Sequence, residues 1–279
     1  MLVSVSGFKK CCYFTLYVLI LFPANQGMVI AQPLLNGSRN AVFSSASVSF
    51  PQGAWHDVNP ASTANITSVY ISIFTSNGYG LKELRTNAVN LAFPVKKAVL
   101  SASIHSFGYE AYREIKLSPS LSYLFTFDSS RSIAAGISST INRIYIQGFG
   151  SQVDVALSAG LIAEIWPGIV VGASAKNWIK WDSHNPLEEE IRIGFGYRLA
   201  HEAWILIALQ KSILYPASLS VGIEHALSPA FTFRSGISTM PHRLAFGFDL
   251  TTRKLTAGIL AEKHIFLNWT PALAIDLHI

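Results

Sequence analysis

Ionisable side chains recur along much of this 279-residue chain, most of them between apolar or small neighbours: Lys116, Asp154, Glu164, Glu190, Arg192, Arg198, Glu224, Arg234, Asp249, Glu262 and Asp276. Both signs are present. In alternating segments such groups share one face of the element that carries them. Their simplest chemistry is therefore mutual ion pairing in an interior where unpaired charge is costly. The other chemistry open to them is a lining that selects ions or guides a ligand. Catalysis has little support, because His56, His105, His184, His201, His225, His242, His264 and His278 are scattered, with no His-Glu-x-x-His and no paired metal-ligand spacing. No Gly-x-Ser-x-Gly elbow is present either. Glu224 and His225 are adjacent, which in a strand puts them on opposite faces, so they form no local acid-base pair. No catalytic residue, metal or cofactor is expected.

The elements that must position these charges are strands. Ile191, Ile193, Phe195, Tyr197 and Leu199 alternate with Glu190, Arg192, Gly194, Gly196 and Arg198, giving one greasy and one polar face. The pattern repeats to the last residue and predicts about fourteen strands, an even number as in bacterial outer-membrane barrels. They are expected at roughly 68–76, 83–94, 98–108, 113–126, 132–146, 152–165, 169–180, 187–199, 203–211, 217–227, 230–238, 243–250, 254–262 and 271–279. Apolar faces outward in lipid and polar faces inward make an all-β, antiparallel, up-and-down transmembrane barrel over 67–279. The charged residues above then line its lumen.

Composition fits that solvent. Hydrophobic residues make up 50% of the chain and charged ones only 13%, yet after residue 31 no apolar run approaches the ~18 residues of a spanning helix. The net charge of +5, two units of which come from Lys9 and Lys10, is too mild and too scattered for a nucleic-acid partner. Residues 1–31 read as a secretory signal: Lys9-Lys10, an apolar run from Cys11 to Phe22, Pro23, and Val29-Ile30-Ala31 before Gln32. The cysteines Cys11 and Cys12 would leave with it, so no disulfide framework is expected.

The connections fall into alternating tight and longer sets, which places both ends of the barrel on the periplasmic side of an outer membrane. Lipid-facing positions include Leu117, Leu121, Tyr123 and Phe125, then Val153, Val155, Leu157 and Leu161, then Leu219, Val221 and Ile223, then Leu244, Phe246, Phe248 and Leu250. Trp166, Trp178, Trp181 and Trp204 are expected in interfacial girdles. Pro119 falls inside a strand on the lipid-facing side, where its missing N–H marks either a lateral gap in the wall or a local bulge.

Residues 32–66 lack periodicity and read as a plug, with Arg39 the candidate partner for lumenal carboxylates. Here a family resemblance enters. Asn36-Gly37-Ser38-Arg39-Asn40-Ala41, Ser45-Ala46-Ser47-Val48 and the turn Asn59-Pro60-Ala61-Ser62 resemble the N-terminal stretch of the FadL/PorV-like outer-membrane barrels. Val171 to Asn177, Gly222-Ile223-Glu224-His225, Phe233 to Gly236 and Ala245 to Phe248 are similar to later strands of that group. The chain departs from the group in its short outer loops and in ending on Ile279. The resemblance implies outer-membrane lipid as surroundings and a passage for small hydrophobic molecules. Its alternative implication is a PorV-like accessory of a type IX protein secretion system that docks cargo or a translocon partner.

Overall fold

The computed structural model describes residues 37–51, 55–128, 131–181, 187–200 and 202–279. The secretory-signal reading of 1–31 and the first residues of the plug reading lie outside them. Fourteen strands follow in chain order among the described residues: β1 (Tyr70–Asn77), β2 (Arg85–Val95), β3 (Ala98–Gly108), β4 (Tyr112–Thr126), β5 (Ser132–Ile146), β6 (Gly150–Trp166), β7 (Ile169–Trp181), β8 (Glu190–Ala200), β9 (Ala203–Ser212), β10 (Ser218–Ala226), β11 (Phe231–Thr239), β12 (His242–Thr251), β13 (Leu255–His264) and β14 (Trp269–His278). Each pairs antiparallel with its neighbour in sequence, and β1 pairs with β14 from Tyr70 opposite His278 to Ser76 opposite Ala272. The sheet is therefore closed and leaves no edge with unpaired backbone groups, the condition for strands to cross lipid.

The alternation sorts the side chains. Ile191, Ile193, Phe195, Tyr197 and Leu199 are exposed on the outside, whereas Arg192, Gly194 and Gly196 between them are buried inside. No described helix is long and apolar enough to cross a membrane.

Residues 37–51 and 55–64 run inside this barrel. A first 3₁₀ segment, Arg39–Ser49, starts at Ser38, whose hydroxyl accepts from the Asn40 N–H at 3.0 Å, and kinks at Ser44, where φ is 52°. It touches β7 through β13. A second, Pro60–Asn65, touches β3 through β6. The interior is thus not uniformly polar: Val42, Phe43, Ala46, Val48 and Phe50 form one apolar cluster with inward residues including Phe74, Ile162, Leu206 and Leu260. Burying a phenylalanine or leucine in this way contributes roughly 1.5–3 kcal/mol.

Trp204 corrects one expectation. It does not join an outer girdle but turns inward, 5% exposed, meeting Phe50 edge-on at 6.0 Å beneath the Arg198 guanidinium. It shares inward parity with Leu206 and Ala208, and the 3₁₀ segment gives it apolar surface there. Trp166, Trp178 and Trp181 are exposed near strand ends.

Two inward glycines let the backbones meet. A Cβ on Gly160 of β6 would collide with the Asn59 carboxamide oxygen, and one on Gly236 of β11 with the Val42 carbonyl. Only the absence of a side chain permits these approaches.

Candidate functional site

The inner wall from β3 to β7 is lined by small hydroxyls, with Ser101, Ser103, Ser118, Ser138, Thr140 and Ser158 all buried. Small side chains here leave a cavity of about 50 Å³ between the wall and the lumenal residues His56, Asp57, Val58 and Pro60, with His105, Lys116 and Lys176 also on its boundary. That volume suits a few waters and no hydrophobic ligand.

The lumenal chain reaches the cavity because Asn59 pins it. Its amide donates to the carbonyls of Val48 at 2.8 Å, Leu161 at 3.1 Å and Ala173 at 3.3 Å, while its oxygen accepts from the Ala61 N–H at 3.0 Å. Asn59 thereby caps the second 3₁₀ segment and ties both segments to β6 and β7, with Pro60 at the segment's first position. The Asn-Pro-Ala turn therefore opens a lumenal turn, and the first strand starts later, at Tyr70.

His56 and Asp57 project from this pinned chain. Nε2 of His56 lies 2.8 Å from the carbonyl of Ser118, which can only accept, so the neutral ring carries its proton there. Nδ1 then accepts from the Ser101 hydroxyl at 3.2 Å. Asp57 Oδ1 lies 3.2 Å from Nε2 of His105. Burial pushes the Asp57 carboxyl up, but the charge and hydrogen bond of His105 outweigh it and hold it well below the usual carboxylate range.

Ser118 adjoins Pro119, which faces outward in β4. Toward β5 the pairs Ser118–Thr140 and Pro119–Ser139 are missing, while Leu117 opposite Ile141 and Ser120 opposite Ser138 keep one register. This is the mark of a single absent N–H. It is not a bulge, which would shift the register. The strands stay side by side, with the Ser118 and Thr140 hydroxyls 3.4 Å apart.

The remaining charged residues named from sequence fall into separate groups. Arg39 donates to Asp249 at 2.9 Å and pairs with Asp276 of β14, so the start of the lumenal segment is tied to β12 and β14. Asp249 also pairs with Arg234 at 2.7 Å, and Arg234 donates to Glu224 at 2.7 Å. The Arg39 guanidinium loses solvation on burial, but Asp276, Tyr70 and Asp249 keep it charged. Arg192 pairs with Glu190 and donates to the Val58 carbonyl at 3.2 Å. Lys116 lines the cavity, 3.4 Å from Glu114.

Four others stand apart from these groups. Asp154 is buried and accepts from Gln152 at 3.0 Å, Glu164 accepts from the Gly168 N–H at the β6–β7 turn, Arg198 covers Trp204, and Glu262 lies 3.8 Å from Arg243. His56, Asp57, His105 and Lys176 join the charged lining as residues that no motif marks as a site. Alternation with Leu100 and Ile104 marks His105 as inward, whereas nothing in the aperiodic stretch marks His56.

A closed antiparallel barrel with a greasy outside and a paired, partly charged inside defines a transmembrane β-barrel of the outer-membrane type. No family model matches the chain, and no curated protein matches it. Solved structures do. A FadL homologue of Pseudomonas aeruginosa aligns at 10% identity over 90% of this chain and 99% of its own, with a TM-score of 0.55. The toluene transporter TodX of Pseudomonas putida aligns at 7% identity over 79% and 92%, with a TM-score of 0.52. The outer membrane protein Omp33 of Acinetobacter baumannii aligns at 10% identity over 76% and 98%, with a TM-score of 0.53. At these identities the likeness is one of fold.

Proposed function

We propose that the barrel is a non-enzymatic passage for small hydrophobic molecules across the bacterial outer membrane, with the described part of the 32–66 stretch as its plug. The observation that carries this reading is the coincidence of three features at one place. The lumen is occupied by the plug, the β4–β5 ladder lacks one bond at Pro119, and the cavity bounded by His56 and Ser118 lies directly behind that point. A molecule descending from the outer mouth meets the plug and leaves sideways into lipid where the wall is weakest. The fold shared with TodX and the FadL homologue supports the reading, because TodX is a toluene transporter. In the closed state the intact register keeps the wall sealed, so passage requires β4 and β5 to part beside Pro119. Pro119→Val restores the donor opposite Ser139 and should slow uptake of a hydrophobic fluorescent probe such as 1-N-phenylnaphthylamine at equal amounts of folded barrel. Unchanged uptake removes the lateral route, and no uptake in either protein removes the passage.

A further inference from the structure

We propose that His56 is a pH-sensitive latch, holding the plug against the weakened β4–β5 wall while neutral and releasing it when protonated. The inference rests on the passage reading above, since a latch at this place governs access to the gap.

His56 is the titratable contact between plug and β4 at this point, beside the Thr63–Ser122 hydroxyl pair at 2.9 Å further along the same strand. Its Nε2–H donates to the Ser118 carbonyl, one residue before Pro119, and Ser103 Oγ lies 3.3 Å from the same nitrogen. Nδ1 accepts from Ser101. Both nitrogens are used, and the ring is 2% exposed. A second proton has to go on Nδ1, which turns that acceptor into a donor and forces the Ser101 hydroxyl to reverse.

The surroundings oppose the added charge. β3 presents His105, β4 presents Lys116 and β7 presents Lys176 to the same cavity, while β5 and β6 contribute only the hydroxyls of Ser138, Thr140 and Ser158. The carboxylate on this boundary is Asp57, on the plug itself, and it already faces His105. Burial lowers the His56 imidazole below its ordinary value of 6.5, and this outweighs the opposing pull of Asp57 and of the Ser118 carbonyl. The closed state therefore binds the proton less well than an open state in which His56 meets water. By linkage the closed state is favoured at neutral pH and loses ground as pH falls through the range below 6.5. A metal ion at Nε2 would need the lone pair that the hydrogen now occupies, so the arrangement suits a proton switch and not a ligand set.

Planar-bilayer conductance of the full chain reads the latch without any ligand, because withdrawing the plug widens a water-filled path. Wild type should conduct several-fold more at about pH 5 than at about pH 7.5, values on either side of the ordinary imidazole range. His56→Gln keeps an amide donor for Ser118 but cannot gain charge, and should stay at the low level at both. A second variant, His105→Gln, leaves Asp57 free to neutralise a protonated His56, so its opening should move to lower pH. A wild type whose conductance ignores pH, a His56→Gln barrel that still switches, or a His105→Gln barrel with an unmoved midpoint each overturns the latch. Uptake of 1-N-phenylnaphthylamine, measured in parallel, separates the two readings. Conductance that switches without uptake keeps the latch and removes the hydrophobic passage, whereas uptake that persists with pH-indifferent conductance does the reverse.

Discussion

Arg39 shows how much one side chain of the lumenal segment can hold. It meets carboxylates on two strands, and one of them, Asp249, is shared with Arg234. Arg39→Ala strands Asp276, whose side chain is fully buried, beside the hydroxyl of Ser72. Breaking a buried pair by removing one partner typically costs roughly 3–5 kcal/mol. The loss here should fall at the low end because Asp249 keeps Arg234. Denaturant unfolding in lipid vesicles measures it, and a cycle with Asp276→Asn should return a coupling above about 1 kcal/mol. Purely additive effects would mean that the plug is held by its apolar face alone. The sequence offers Arg39 as a partner for inward carboxylates, but alternation cannot say which strand lies above it. Asp249 and Asp276 follow from the path of the plug.

Among the elements, the wall and plug fit by reciprocal smallness. Gly160→Ala puts a methyl group into the space held by the Asn59 oxygen, so Asn59 must give up its bonds to β6 and β7. The barrel, whose ladder Gly160 serves through its backbone opposite Gly136, should still fold and run as a heat-modifiable band. Its conductance should rise above that of wild type, and a variant as tight as wild type would show that Asn59 does not set the position of the plug. The lipid face obeys a different rule. Leu219 is exposed on β10, and a lysine there should weaken insertion by about 2–4 kcal/mol near the midplane. Its neighbour Ser220 is fully buried, 2.8 Å from Ser45 of the plug, so a lysine there meets packed protein and not lumenal water. It should insert with less loss than the Leu219 variant yet conduct more. Equal insertion losses at both would mean a shifted register. From sequence alone Ser220 reads as a tolerant lumenal position, because periodicity reveals that a residue faces inward and not what fills the inside.

At the scale of the whole molecule, both described ends of the barrel, the start of β1 and the end of β14, lie at the same rim as the turns at Lys96, Pro167 and Thr252. The opposite rim carries the β5–β6 turn with exposed Phe149, and Leu214 after β9. Single cysteines at Phe149 and Leu214 should label from outside intact cells with a membrane-impermeant maleimide, and those at Ser228 and Thr252 only after lysis. The reverse result would turn the barrel over in the membrane.

Fold class, strand count and the direction of most strand residues were determined by the sequence, because the two-residue period of a strand and the greasy-outside demand of lipid are local properties. The interrupted pairing at Pro119 was equally local, since proline lacks its N–H in any context. Three things were decided only by tertiary structure. The ladder closes around Pro119 without a bulge because both flanking pairs share one register. Trp204 turns away from lipid because the lumenal segment offers it Phe50. His56 meets Ser118 across 62 positions of chain because Asn59, bound to the carbonyls of β6 and β7, fixes the plug's path beside it. An aperiodic segment has no period to read, and where it lies depends on the wall that surrounds it.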